Sequence, residues 1–154
     1  MRVCEAEGLG TSETAQMNVD LPVKEVMTPH PRAVQLGDKI SDVRAALADG
    51  RMHHLPVLDG KLLVGIISTT DLLEFGFAPR DTHENVDDYL DEHFNIEQVM
   101  QSWPVTIPSN STIRDAADAL ATGTLHAVPV VKADGELVGI VTSTDIVSFV
   151  VSQT

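Results

Sequence analysis

The sequence predicts an α/β fold in which two β-α-β-β-α repeats pack through their sheets into one pseudo-symmetric module. Three observations lead to this: an internal repeat across most of the chain, helical and extended periodicities in the same order within each copy, and a length of 154 residues, which suits about one domain. Val26 to Leu58 aligns on Val99 to Val131 at a constant offset of 73, with twelve identities among 33 positions, including Met27, Pro31, Ile40, Asp42, Gly50, His53 and Pro56. The offset becomes 74 at a turn, where Asp59-Gly60 is matched by Ala133-Asp134-Gly135, and Val64 to Phe75 then pairs with Val138 to Phe149 with six of twelve identical. A unit of roughly 50 residues buries too little surface to be more than marginal alone, so the copies are half-domains of one body. The expected organisation is a tail over 1–17, a first repeat over 18–75, a connector over 76–95 and a second repeat over 96–154.

Each element has a local cause. A short helix opens each copy, Val23 to Met27 and Ile96 to Met100, with Asp20 and Asn95 as caps and Pro22 at an early helical position. Extended segments follow at Ala33 to Leu36 and Val105 to Ile107, bounded by Pro, Gly, Asn and Ser. Ile40, Val43, Ala46 and Leu47 then fall on one helical face, as do Ile113, Ala116, Ala117 and Leu120, and Gly50 and Gly123 stop those helices. Strands at Leu55 to Leu58 and Leu62 to Ile67, and at Val128 to Val131 and Leu137 to Val141, are joined through Asp-Gly turns. A last helix starts near Thr70 and near Thr144.

Composition narrows the function classes. Ten Lys and Arg against 23 Asp and Glu leave a formal charge of −13, which argues against nucleic acid and anionic membranes, because both reward a basic footprint. The longest apolar stretches are strand-sized, well short of the roughly 20 residues of a membrane helix. Met1 to Met17 has no apolar signal region, and the single Cys4 offers no disulfide framework. A soluble, cytoplasmic protein is expected. The connector is strongly acidic, with seven carboxylates and no Lys or Arg between Asp81 and Glu97. Val86, Tyr89, Leu90 and Phe94 recur there at helical spacing, as in a covering helix with its carboxylates in water; the same charge would also suit a basic docking partner.

Val26-Met27-Thr28-Pro29, His54-Leu55-Pro56-Val57 and Gly65-Ile66-Ile67-Ser68-Thr69-Thr70-Asp71 recur as Val99-Met100, Ala127-Val128-Pro129-Val130 and Gly139-Ile140-Val141-Thr142-Ser143-Thr144-Asp145. This series resembles the CBS domain, and its duplication resembles the tandem CBS pair, or Bateman module. The resemblance covers about 125 residues and leaves out the tail and most of the connector. It implies two clefts between the sheets that take adenosyl ligands such as AMP, ADP, ATP or S-adenosylmethionine. It also implies a homodimer, regulatory rather than catalytic, that signals to an unidentified partner protein.

The residue chemistry is compatible with that role. A strand running into a helix at Ser68, Thr70 and Asp71, and again at Thr142, Thr144 and Asp145, offers hydroxyls and N–H groups to an anion and a carboxylate to a ribose diol. The alternative is that Thr70 and Thr144 only cap their helices while the aspartates complement the helix dipoles. Arg32, His53, His54 and His126 are candidate phosphate contacts, although a histidine near a strand start often has only a structural task. By the resemblance, Thr28, Pro31, Gln101, Pro104 and Val105, with Leu55, Ile67, Val128 and Val141, are candidate adenine contacts. Arg32 has Val105 as its counterpart, and Trp103 could partly fill the second cleft or sit in an interface. The scarcity of cations favours AMP over ATP, with Mg²⁺ needed only for ATP. No other cofactor is expected. The six histidines show neither His-x-x-x-His spacing nor a Cys partner, so no metal site is expected. No nucleophile elbow or Walker motif is present, so an enzyme is not expected. A ligand-independent scaffold that docks a basic partner through the connector is the alternative function.

Overall fold

The computed structural model describes residues 16–76 and 85–154. Residues 1–15 of the expected tail, with Cys4, and residues 77–84 of the connector, with His83, lie outside the described residues. Each repeat forms a β-hairpin from its apolar runs: β3 (His54–Asp59) with β4 (Leu62–Ser68), and β7 (Ala127–Val131) with β8 (Leu137–Thr142). Leu55 lies opposite Ile67, and Val128 opposite Val141. The extended segments supply β2 (Val34–Gln35), parallel to β3, and β6 (Ile107–Pro108), parallel to β7. The amphipathic helices are α1 (Ile40–Leu47) and α5 (Ile113–Ala121); the closing helices are α2 (Thr69–Glu74) and α6 (Ser143–Ser152). The acidic connector contributes α3 (Val86–His93), followed by α4 (Ile96–Val99).

Two further strands, absent from the sequence reading, decide how the halves fit. These are β1 (Thr28–Pro29) and β5 (Gln101–Ser102), and each joins the sheet of the other repeat. The sheet orders are β1-β8-β7-β6 and β2-β3-β4-β5. Thr28 pairs with Ile140, and Gln101 with Ile66. The cores are exchanged in the same way. Val23, fully buried, packs with Ile107, Val128, Val130 and Val141 of the second repeat, whereas Ile96 and Val99 pack with Ile40, Val43, Leu55 and Ile67 of the first. The segment before Val23 also crosses over: Val23 N–H donates to Ser111 O at 2.9 Å and Ile113 N–H to Leu21 O at 2.9 Å.

Two glycines make the crossover fit. A Cβ on Gly139 would overlap the Met27 sulfur, and one on Gly65 would overlap the Met100 sulfur and come within 3.2 Å of the Gln101 carbonyl oxygen. This accounts for the recurrence of the Met and the Gly in both repeats. Gly65→Ala is therefore expected to cost about 1–3 kcal/mol, the usual range for overpacking. Gly139→Ala should cost less, because only the flexible Met27 side chain must move. Chemical denaturation of both variants checks this, and equal or reversed costs would contradict it.

Two local expectations are corrected. The first short helix is a 3-10 turn, Val23–Glu25, whose flanking Pro22 has no capping side chain. Asp20 does not cap it; Asp20 Oδ1 instead accepts from Arg114 Nε at 3.0 Å. The connector carboxylates are not all directed to water either. Asp87 pairs with Arg44 at 2.7 Å, and Asp91 accepts from the N–H and hydroxyl of Ser41 at 2.9 and 2.7 Å, so one edge of α3 is pinned onto α1.

Candidate functional site

The crossover creates the site. β1 carries Thr28, Pro31 and Arg32 to the second repeat's sheet, where they face the start of α6 across a cleft of about 620 Å³, a size usual for small-molecule sites. The opposite wall carries Thr142, Thr144 and Asp145, the loops before β3 and β7 add His53 and His126, and the first residue of β3 adds His54. Nine of the expected residues thus line one cleft. Arg51, Met52, Ile140 and Ser143 line it as well and were not anticipated. Arg51 sits between Gly50 and β3, where no periodicity marks it, yet a cation two residues before a candidate phosphate histidine was a usable signal.

The helix start is built by a capping box. Helix α6 begins at Ser143, one residue before the expected start, and its cap is Thr142 rather than Thr144. The Asp145 N–H donates to Thr142 Oγ1 at 3.3 Å, and Asp145 Oδ2 accepts from the Thr142 N–H and hydroxyl at 2.7 and 2.8 Å. The Ser143 N–H donates to His126 O at 3.1 Å, which pins the histidine loop to the helix. Asp145 Oδ1 and the Thr144 N–H have no hydrogen-bond partner among the described residues. An acceptor oxygen and a donor at the positive end of a ten-residue helix are thus left for a ligand.

Arg32 and Arg51 bring two permanent positive charges to the same cleft. The His54 imidazole is held below its usual pKa, first by burial, then by the neighbouring His126 and His53, with Asp71 pulling the other way. These surroundings favour the uncharged form of His54.

The pseudo-equivalent residues of the first repeat are arranged differently. Ser68, not Thr70, caps α2, and Asp71 Oδ2 accepts from the Ser68 N–H and hydroxyl at 2.6 and 2.8 Å. Asp71 Oδ1 accepts from Gln101 Nε2 at 2.9 Å, and Asp71 is only 7% exposed. Thr70 and Gln101 are exposed, Pro104 is half-buried and Val105 is 55% exposed. Trp103 is 81% exposed, so its indole does not fill a cleft.

Four expected adenine contacts are corrected. Leu55, Ile67, Val128 and Val141 are each 0% exposed and belong to the two cores. Side chains alternate between the faces of a strand, so the residues that reach the cleft from β8 are Ile140 and Thr142, on either side of Val141.

Comparison with known proteins adds the family. The CBS domain model matches residues 23–77 and 96–152. CBSX2 of Arabidopsis thaliana, a CBS domain-containing chloroplast protein, is 29% identical over 146 residues, covering 81% of this chain and 61% of that one. An inosine-5'-monophosphate dehydrogenase of Korarchaeum cryptofilum is 26% identical over 124 residues. The match takes in 80% of this chain and 22% of the dehydrogenase, so the chain spans well under half of that relative. Among solved structures, CBSX2 in complex with AMP is similar with a TM-score of 0.71 at 26% identity, covering 86% of this chain and 97% of that chain. The CBS domain pair of protein MJ0100, in complex with 5'-methylthioadenosine and S-adenosyl-L-methionine, is similar with a TM-score of 0.66 at 25% identity, covering 84% and 98%. Among the described residues, no helix is long and apolar enough to cross a membrane.

Proposed function

Since this chain belongs to the CBS domain family, we propose that it is a regulatory, non-catalytic module that binds an adenosine phosphate in the Asp145 cleft, AMP in preference to ATP. The observation that carries this reading is the free Asp145 carboxylate oxygen in the same 620 Å³ cleft as Arg32 and Arg51. A ribose diol donates to the carboxylate, and the phosphate meets the guanidiniums and the histidines. Thr28 and Ile140 flank the base. Two arginines and one aspartate balance a monophosphate better than a triphosphate without Mg²⁺, and they give no advantage to S-adenosylmethionine, which has no phosphate. The AMP and S-adenosylmethionine complexes of the two relatives support an adenosyl ligand. Calorimetry with AMP, ADP, ATP and S-adenosylmethionine tests the proposal. Tightest binding of AMP is expected, and no binding of any of the four at millimolar concentration would overturn it.

The module works in the cytoplasm as a homodimer that passes its ligand state to a partner protein. Helix α6 buries none of its residues, with Val147 and Val151 61% and 65% exposed, and α2 exposes Leu73 at 53%. Such uncovered apolar helix faces support pairing with a second copy. The alternative of a basic partner on the acidic connector loses support, because Asp87 and Asp91 are already engaged by α1.

The lowered pKa of His54 makes binding pH-dependent. A phosphate beside this imidazole favours its protonated form, so the bound state takes up a proton and affinity rises as pH falls from 7.5 towards 6. The phosphate titrates in the same range, so the diagnostic is the difference between the wild type and His54→Gln. The wild type should gain a few-fold more affinity on acidification than the variant; superimposable pH profiles would remove His54 from phosphate contact.

A further inference from the structure

We propose that Met27 and Met100 are sites of reversible oxidation, and that their sulfoxides loosen the crossover and thereby weaken the cleft at Asp145. The two thioethers are matched by the repeat and have the same task in each half. Met27 lies on Gly139 of β8, where an added Cβ would overlap the sulfur and come within 3.0 and 3.2 Å of the Met27 Cγ and Cε. Met100 lies on Gly65 of β4 in the same way, with its Cγ 3.0 Å from such a Cβ. Each methionine precedes a two-residue strand, β1 or β5, that joins the sheet of the other repeat. Only two residue pairs form each of those ladders, so the thioether contact is a large share of the attachment.

Met27 and Met100 are half-buried at the margins of the two cores, so a small oxidant reaches sulfurs that still have packing to lose. Hydrogen peroxide transfers one oxygen atom: the O–O bond breaks, an S=O bond forms, the sulfur loses two electrons and the peroxide leaves as water. The product is polar and branched at sulfur, and it no longer lies flat on a glycine. Kept among Val26, Val138 and Ile146, the S=O group of Met27 must give up water. Turned out to solvent, it uncovers Gly139. Either way β1 is held less tightly. Thr28, next to Met27, pairs with Ile140, and both line the cleft, so the Met27 sulfoxide acts directly on the site. The Met100 sulfoxide releases β5 from the first sheet and acts on stability. Methionine sulfoxide reductases reverse the change, removing the oxygen as water while two thiols become a disulfide.

The other two methionines among the described residues serve as controls: Met17 is 40% exposed, and Met52 lines the cleft without holding a strand across the repeats. Titration of the whole chain with hydrogen peroxide, followed by peptide mass mapping, thermal unfolding and AMP calorimetry, tests the proposal. As Met27 and Met100 take up oxygen, the wild type should lose about 4–12 °C in melting temperature. Its AMP affinity should fall at least about tenfold, as the population of the intact cleft falls, and reductase treatment should restore both. Met27→Leu/Met100→Leu, close in volume, should resist the same dose, and Met17→Leu/Met52→Leu should respond like the wild type. Where leucine does not fit over the glycines, norleucine at every methionine keeps the shape without an oxidisable sulfur and should make the protein inert to peroxide. Met27 and Met100 left intact once Met17 and Met52 are fully converted, sulfoxides at 27 and 100 with no change in melting temperature, or equal losses in Met27→Leu/Met100→Leu would each overturn the proposal. A lower melting temperature with unchanged AMP affinity would overturn its link to the cleft. Only the AMP measurement rests on the reading above: an oxidation-dependent loss of stability in a protein that binds no AMP would uphold the oxidation sites and overturn that reading.

Discussion

Asp145→Asn is expected to weaken AMP binding by about 10- to 150-fold, the equivalent of 1.5–3 kcal/mol for hydrogen bonds to a charged group. The substitution separates two tasks that fall on one side chain. Oδ2 closes the capping box with Thr142, and Oδ1 is left towards the cleft. Asparagine keeps the shape and one acceptor oxygen for the cap, so α6 should remain formed. It cannot accept from both hydroxyls of a diol, and it removes the negative charge that strengthens those bonds. Asp145→Ala would remove the cap as well, at an additional cost of about 1 kcal/mol in stability. A helix signal unchanged by circular dichroism, together with the loss of affinity, is the expected pair of results. Unaltered affinity in Asp145→Asn would exclude the diol contact, and a fall in stability as large as that of Asp145→Ala would mean that the cap was disrupted too.

The sequence made some of this site legible and hid the rest for identifiable reasons. The repeat, the hairpins and the closing helices could be read because each rests on local signals: the offset of 73, the Asp-Gly turns and the Gly-to-Asp run. The facing of the strands could not be read. Leu137 to Val141 is an almost continuous apolar run, so no alternation separates Val141, which faces the core, from Ile140, which lines the cleft. The exchange of lead segments was equally hidden, because β1 and β5 are two residues long and carry no periodicity. Their partners are set by Met27 over Gly139 and Met100 over Gly65, contacts between residues far apart in the chain. The Gln101 to Asp71 bond is of the same kind. It is a consequence of the crossover and has no signature at either residue.

The exchange also predicts how the molecule unfolds. Ile96 begins the second repeat by sequence, yet its side chain is fully buried among Leu55, Ile67, Val43 and Leu90 in the first repeat's core. Its counterpart Val23 is fully buried in the second repeat's core. Each core therefore holds side chains from the other repeat, and neither sheet can be fully covered while its partner is unfolded. Ile96→Ala is expected to cost about 2–5 kcal/mol, the range for truncating a buried isoleucine, which at this size lowers the melting temperature by about 4–20 °C. The destabilisation should move one transition and not split it. The single Trp103, on the segment that runs from Ile96 across to the first sheet, and the far-ultraviolet signal of both halves should report the same midpoint in wild type and variant. Two resolved transitions, with only the first repeat's shifted, would mean that the halves are independent. A shift below about 2 °C would mean that Ile96 is not a core residue of the first repeat. A shared transition would also connect folding to function, because the open cleft takes Thr28, Pro31 and Arg32 from one repeat and Asp145 from the other, and exists only while the two are interlocked.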